Sequence, residues 1–179
     1  MKVVLHICCG VCAAGAAEVL INEGHQVLGF FYNPNIQPAE EYQRRLETTR
    51  RVAQELHFPL EVPAYEPAEW LRQTDSLKDE PEGGKRCQVC YRLRLEKTRD
   101  YMLDCGADAF TTTLTISPHK STQTINNIGQ EIGGERFLIR NFKKKEGFKR
   151  AVELGKLWQL YRQDYCGCIY SIRKGVGKL

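Results

Sequence analysis

At 179 residues, 42% of them hydrophobic and 27% charged, the chain is long enough to bury one core and short for several domains. No apolar run approaches the roughly 18 residues that a membrane span needs, and the start MKVVLHICC lacks the long apolar stretch of a secretory signal, so a cytoplasmic protein with no membrane partner is expected. The net charge of +4 hides an asymmetry: residues 136–179 hold twelve Lys/Arg against three Asp/Glu, and the rest of the chain fourteen against nineteen, which directs the basic segment at a polyanion such as nucleic acid, with an ordinary solvated surface as the plain alternative.

In chain order, Lys2 to Ile7 is a β-branched apolar run that reads as a buried strand. Ala13 to Glu23 is alanine-rich and stops at Gly24, as a helix does. Gln26 to Tyr32 is a second buried strand, broken by Asn33-Pro34-Asn35. Ala39 to Leu56 is a long charged helix with Leu46, Val52, Ala53 and Leu56 toward the core. Phe58 to Val62 is a third strand, Asp79 to Lys85 a polar loop, and Arg86 to Leu103 a helix. Ala107 to Thr113 is a fourth strand, His119 to Ile132 a helix closed by Gly133-Gly134, and Phe137 to Arg140 a fifth strand. Phe148 to Tyr161 is the last helix, with Leu154, Leu157, Trp158 and Tyr161 on one stripe.

Strands that alternate with helices predict a single α/β domain over 1–179, a Rossmann-like parallel sheet of about five strands with helices on both faces. The basic segment 136–179 carries the last cysteine pair. Chemistry in such sheets gathers at the carboxyl ends of the strands. The Cys8-Cys9 turn, the loop Thr112 to Lys120 and the loop Asn141 to Lys145 are therefore expected to rim one crevice.

Eight cysteines are many for an intracellular chain and few for a small disulfide scaffold. Seven fall in three groups: Cys8, Cys9 and Cys12; Cys87 and Cys90; Cys166 and Cys168. Cys105 stands alone and reads as a core filler. Cys87 and Cys90 lie one helical turn apart, and Gly167 lets the Cys166–Cys168 pair turn two thiolates toward one point. Thiols so far apart in sequence, in a reduced compartment, point to metal or redox chemistry. Soft sulfur ligands favour an iron–sulfur cluster, and seven thiols exceed the four that one site takes, which suggests a second metal or a redox-active dithiol. Zinc or a disulfide are the other readings. Where many α/β proteins place a glycine-rich phosphate cradle, this chain has thiols. Neither GxGxxG nor a P-loop occurs, so no nucleotide cofactor is expected.

Taken together, HICCGVC, RCQVCYRLRL, TTTLTISPHKS and FKKKEGFKRAVELGKLWQLYRQDYCGCIYS resemble, in order and over most of the chain, the epoxyqueuosine reductases of the QueH type. The resemblance implies the adenine-nucleotide α-hydrolase-like variant of the Rossmann architecture. It implies reduction of epoxyqueuosine to queuosine in the anticodon arm of transfer RNA, the last step in making that base. It further implies a 4Fe–4S cluster beside a second iron, without cobalamin. Candidate cluster ligands are Cys8, Cys9, Cys87, Cys90, Cys166 and Cys168, and Cys12 joins them as a metal ligand. Cys12 stands where some members have Asp, after Val11 where many have Pro.

Epoxide removal takes two electrons and two protons. A ferredoxin-like or flavodoxin-like donor is expected, with a proton source among His119, Lys120, Asp164 and Tyr165. Simpler roles exist for each: Ser117 and Pro118 could start a helix, Asp164 could pair with Arg162, and Tyr165 could be core. Candidate phosphate contacts are Lys143, Lys144, Lys145, Lys149, Arg150, Arg173, Lys174 and Lys178, with Phe142 and Tyr170 as stacking platforms. Rival readings are a transfer-RNA sulfur transferase with an iron–sulfur site, whose ATP-binding turn CCGVCA does not match, and a zinc-containing RNA-binding module.

Overall fold

Alternation along the central strands sorts the core into two halves. Val3, Leu5 and Ile7 of the first strand face one way with Val27 and Phe31, while Val4 faces the other way with Leu28, Phe30 and Tyr32. Both faces of the sheet are therefore apolar, as a parallel sheet covered on both sides requires. The computed structural model describes residues 1–144 and 146–172. Its four strands are β1 (Lys2–His6), β2 (Gln26–Phe30), β3 (Leu60–Glu61) and β4 (Ala109–Thr112), all parallel, in the order β3-β2-β1-β4. The order reverses between β1 and β4, and a ligand crevice forms outside the carboxyl ends at such a switch point.

Among the described residues six α-helices cover the sheet: α1 (Gly10–Asn22), α2 (Ala39–Glu55), α3 (Pro67–Thr74), α4 (Lys85–Asp104), α5 (Thr122–Gly133) and α6 (Gly147–Leu157). Helices α1, α2 and α6 share one core half, and α3, α4 and α5 the other. The alanine-rich α1 is placed by close approaches. A Cβ on Gly10 would meet Thr48 of α2 at 2.3 Å, and one on Gly15 would meet Ala151 of α6 at 2.8 Å. No helix among the described residues is long and apolar enough to cross a membrane.

The expected fifth strand is reduced to a single bridge between Phe110 and Phe137. The Leu138 carbonyl is taken by the Thr111 hydroxyl (2.9 Å) and the Arg140 carbonyl by the Asn126 amide (3.1 Å), so side chains end the ladder. Helix α5 starts at Thr122 rather than His119, because Ser121, not Ser117, caps it by accepting from the Thr124 N–H at 3.2 Å. Helix α6 ends at Leu157, four residues early. Gln159 takes φ +51° and the Leu160 N–H reaches back to the Gly155 carbonyl, a Schellman-type stop. That stop takes Leu157 off the expected stripe: Leu154 is buried, but Leu157 is 71% exposed. Helix α3 was not expected from the sequence. After α6, residues 158–172 run as an irregular arm ending in a 3-10 turn at Ile169–Ser171.

Candidate metal centre

The first thiol group is built by one helix start. β1 delivers Cys8 and Cys9 to the head of α1, where Cys9 is the N-cap and its sulfur accepts the Cys12 N–H at 3.4 Å. The sulfurs of Cys8, Cys9 and Cys12 all lie within 4.8 Å of one another. Sulfurs sharing one tetrahedral ion at about 2.3 Å stand about 3.8 Å apart, so this spacing suits a single metal ion. Thr113, at the end of β4, locks the group: its Oγ accepts the Cys8 N–H at 3.1 Å and donates to the Cys8 sulfur at 3.2 Å. Hydrogen bonds from Cys12 and Cys9 hold the Cys8 thiol well below its ordinary range. Cys9 also receives a favourable bond from Cys12, but the Cys8 thiolate and burial together push it up to about 12.

The second group is assembled from distant segments. Cys87 and Cys90 lie on the first turns of α4, and Cys166 and Cys168 on the arm. Burial raises Cys87 and lifts Cys90 to about 11, and both feel the charges of Cys166 and Cys168. No three of these sulfurs draw together as the first group does. Two polar groups of the frame meet these sulfurs: the Gly83 N–H donates to Cys87 at 3.2 Å, and the Cys168 thiol faces Ser171 Oγ at 3.4 Å.

A buried clasp on α2 holds the arm in place. The Arg45 guanidinium donates to the carbonyls of Cys166 (2.9 Å) and Tyr165 (3.1 Å) and pairs with Glu41 at 2.7 Å. Tyr161 donates to the other Glu41 oxygen at 2.8 Å. Gly167 has φ +123°, open only to glycine, and a Cβ there would sit 3.0 Å from Arg45 Nη1.

Both groups open on one cavity of about 690 Å³, which Cys8, Cys12 and Cys166 line together with Arg45, Arg94 and Lys120. Arg94 is 2% exposed. It donates weakly to the Cys90 carbonyl (3.2 Å) and to Asn33 Oδ1 (3.4 Å), and its Nη2 has no partner. No carboxylate pairs with Arg94 or Lys120 among the described residues. Burial opposes both charges, yet the neighbouring Cys90, Cys166 and Cys8 hold Arg94 above its ordinary value, and Cys166, Tyr91 and Cys8 do the same for Lys120. These two cations span both thiol groups. Beneath them His6 is a neutral staple. Burial, and then Arg94, lower it to about 3, its Nε2–H donates to the Tyr32 carbonyl, and its Nδ1 accepts from Thr112.

The expected crevice forms from the first two loops and from the arm, which the sequence did not suggest as a rim. The third loop stays behind it: Phe142 is core, and Lys143 donates to the Lys120 carbonyl at 2.8 Å. His119, Lys120 and Asp164 line the cavity. Tyr165 also lines it, but its hydroxyl donates to the Gln37 carbonyl at 2.6 Å, which fastens the arm and commits that proton. Arg162 lies over Phe148 rather than against Asp164. Of the basic candidates, Arg150 pairs with Glu18 at 2.7 Å and Lys149 with Glu146 at 3.2 Å, while Lys144 is exposed. Lys145, Arg173, Lys174 and Lys178 lie outside the described residues. Tyr170 packs on Trp70 and under Arg86, so it is not free to stack on a base. Cys105 is a half-buried core neighbour, as expected. Arg45, Arg94 and Thr113 were missed; only Arg94, one turn after Cys90 on a predicted helix, carried a signal in its spacing.

The family model described as epoxyqueuosine reductase QueH matches residues 3–174. The chain is 39% identical to the epoxyqueuosine reductase QueH of Streptococcus pyogenes serotype M1, over 96% of this chain and 71% of that one. It is 38% identical to that of Thermotoga maritima, over 95% and 90%. Among solved structures, a predicted subunit of a tRNA methyltransferase from Methanocaldococcus jannaschii matches with a TM-score of 0.59 at 14% identity, over 86% of this chain and 75% of that one, a likeness of fold. With thiols at the switch point of a four-stranded parallel sheet, and these relatives matching along nearly its whole length, the chain belongs to the epoxyqueuosine reductase QueH family.

Proposed function

We propose that this chain reduces the epoxide of epoxyqueuosine, in the anticodon arm of a transfer RNA, to the alkene of queuosine. In this reading Cys87, Cys90, Cys166 and Cys168 hold a 4Fe–4S cluster, and Cys8, Cys9 and Cys12 hold a second iron, with no need of cobalamin or a nucleotide. The observation that carries it is that Cys8 and Cys12 of one thiol group and Cys166 of the other line one cavity with the buried Arg94 and the half-buried Lys120, cations with no carboxylate partner among the described residues. A buried guanidinium without an anion is costly, so the site is built for thiolates and the negative group they hold. Four thiols match the ligand count of a cluster, and three close sulfurs leave a fourth position open on a single ion.

When bound, the two groups supply electrons one at a time and Lewis acidity toward the epoxide oxygen. The chain's own residues do the rest. The carbon–oxygen bonds of the epoxide break as two electrons and two protons enter, and the oxygen leaves as water. Lys120 keeps its ammonium at the cavity wall and stabilises negative charge on the departing oxygen. His119 and Asp164 stand at the rim, where a proton from solvent can be relayed. Lys144 and the basic residues beyond the described ones meet phosphates. A single-electron carrier of the ferredoxin or flavodoxin kind reloads the site.

The test is anaerobic reconstitution with iron and sulfide, followed by incubation with epoxyqueuosine-bearing transfer RNA and a chemical reductant. Queuosine in the digested RNA is the expected result. Lys120→Gln should lower turnover by roughly 10²-fold with metal content unchanged, and transfer-RNA affinity should fall steeply with salt. Zinc without sulfide, or iron–sulfide protein that leaves the epoxide intact, would overturn the reading.

A further inference from the structure

Two residues that the sequence offers as stacking platforms are engaged elsewhere: Phe142 is buried in the core, and Tyr170 lies against Trp70 and under Arg86. The cavity wall holds another aromatic ring. Phe148, the second residue of α6, is half-buried and lines the cavity together with Arg162 of the arm. The Arg162 guanidinium stands over that ring, its central carbon 5.7 Å from the centroid. Arg162 is exposed, and among the described residues it pairs with no carboxylate, Asp164 two residues on included. A cation–π contact of this kind occupies one face of a guanidinium, and nucleobases stack on such planes where single-stranded RNA is recognised. Every residue from Arg162 to Cys166 lines the cavity. Four residues of chain span at most about 14 Å, so the ring–guanidinium pair and the Cys166 thiol share one short stretch of wall. The target base is a 7-deazaguanine that carries its epoxide ring on a short aminomethyl link, so base and epoxide must bind that close together.

We propose that Arg162, backed by the Phe148 ring, is the platform on which the target base stacks once it has turned out of its loop. The proposal rests on the transfer-RNA reading above and adds the subsite that holds the purine-like ring. The stack needs the planar, delocalised guanidinium, and an ammonium of equal charge does not supply it. The backing ring holds that plane at the wall, so less side-chain freedom is lost on binding. An Arg162 that met a phosphate instead would be replaced well by lysine, which separates the two roles.

The measurement is the affinity of the reconstituted protein for two anticodon stem-loops, one with 7-deazaguanine at the target position and one abasic there. The unaltered protein should prefer the first by about tenfold. Arg162→Lys should bind the abasic RNA as the unaltered protein does and lose the preference, and Phe148→Leu should lose part of it. A preference retained in Arg162→Lys, or an equal weakening toward both RNAs, overturns the proposal. A second measurement needs no variant: the unaltered protein is irradiated with a stem-loop carrying 6-thioguanine at the target position, and the adduct is mapped by mass spectrometry. An adduct on Phe148 or Arg162 supports the platform, and none at either residue overturns it, so this arm decides alone if a variant fails to fold. Protein that reduces the epoxide but shows no preference for the base overturns the platform and leaves the reductase reading standing. A clear preference in protein that leaves the epoxide intact supports the platform and overturns the reductase reading. Binding of neither RNA overturns both.

Discussion

The two thiol groups obey different rules. Cys8, Cys9 and Cys12 lie on one turn of chain, and a helix cap and a threonine hydroxyl set their geometry. Cys87 and Cys90 meet Cys166 and Cys168 only after the arm docks, and the docking depends on Arg45, Glu41, Tyr161 and Tyr165. The first group should survive damage to the arm, and the second should not.

Removing a ligand from each group gives the largest and cleanest contrast. Cys90→Ala should abolish turnover together with bound sulfide and most of the iron, while Cys12→Ala should abolish turnover with sulfide retained. Iron and acid-labile sulfide analysis separates the two, and equal losses in both variants would merge the groups into one site.

Next comes the clasp. Arg45→Ala strands Glu41 in the interior and frees two part-buried carbonyls, a loss of about 3–5 kcal/mol in unfolding free energy. Sulfide loading should fall sharply while the metal on Cys8, Cys9 and Cys12 persists. A smaller perturbation acts through α6, which leads into the arm. Gly15→Val drives a side chain into Ala151 and Ile116, where even a Cβ would stand 2.8 and 2.9 Å away. Overpacking of this kind costs about 1–3 kcal/mol, to be read from urea unfolding, with cluster loading impaired before the metal at the head of α1. Smallest of all is Arg150→Ala. Its pair with Glu18 is exposed and screened, so the melting temperature should stay at the wild-type value, and any change should be confined to transfer-RNA affinity.

Much of this was legible from the chain itself. Short β-branched runs alternating with amphipathic stretches specify a parallel sheet covered on both faces, because backbone pairing and apolar periodicity are local properties. The grouping of the thiols, the helix that carries Cys87 and Cys90, and the family resemblance follow from residues close together in sequence. The fifth strand did not form, because side-chain amides and hydroxyls of distant residues took its carbonyls. Helix α6 stopped early because one left-handed residue redirected it. Tertiary structure alone decided that Cys166 faces the same cavity as Cys8 and Cys12, since that depends on where the arm lands and on a buried Arg45–Glu41 pair more than a hundred residues upstream. It alone revealed Arg94 and Lys120 as cations without carboxylate partners among the described residues. Burial is what gives an unpaired charge or N–H its meaning, and burial is a property of the folded whole.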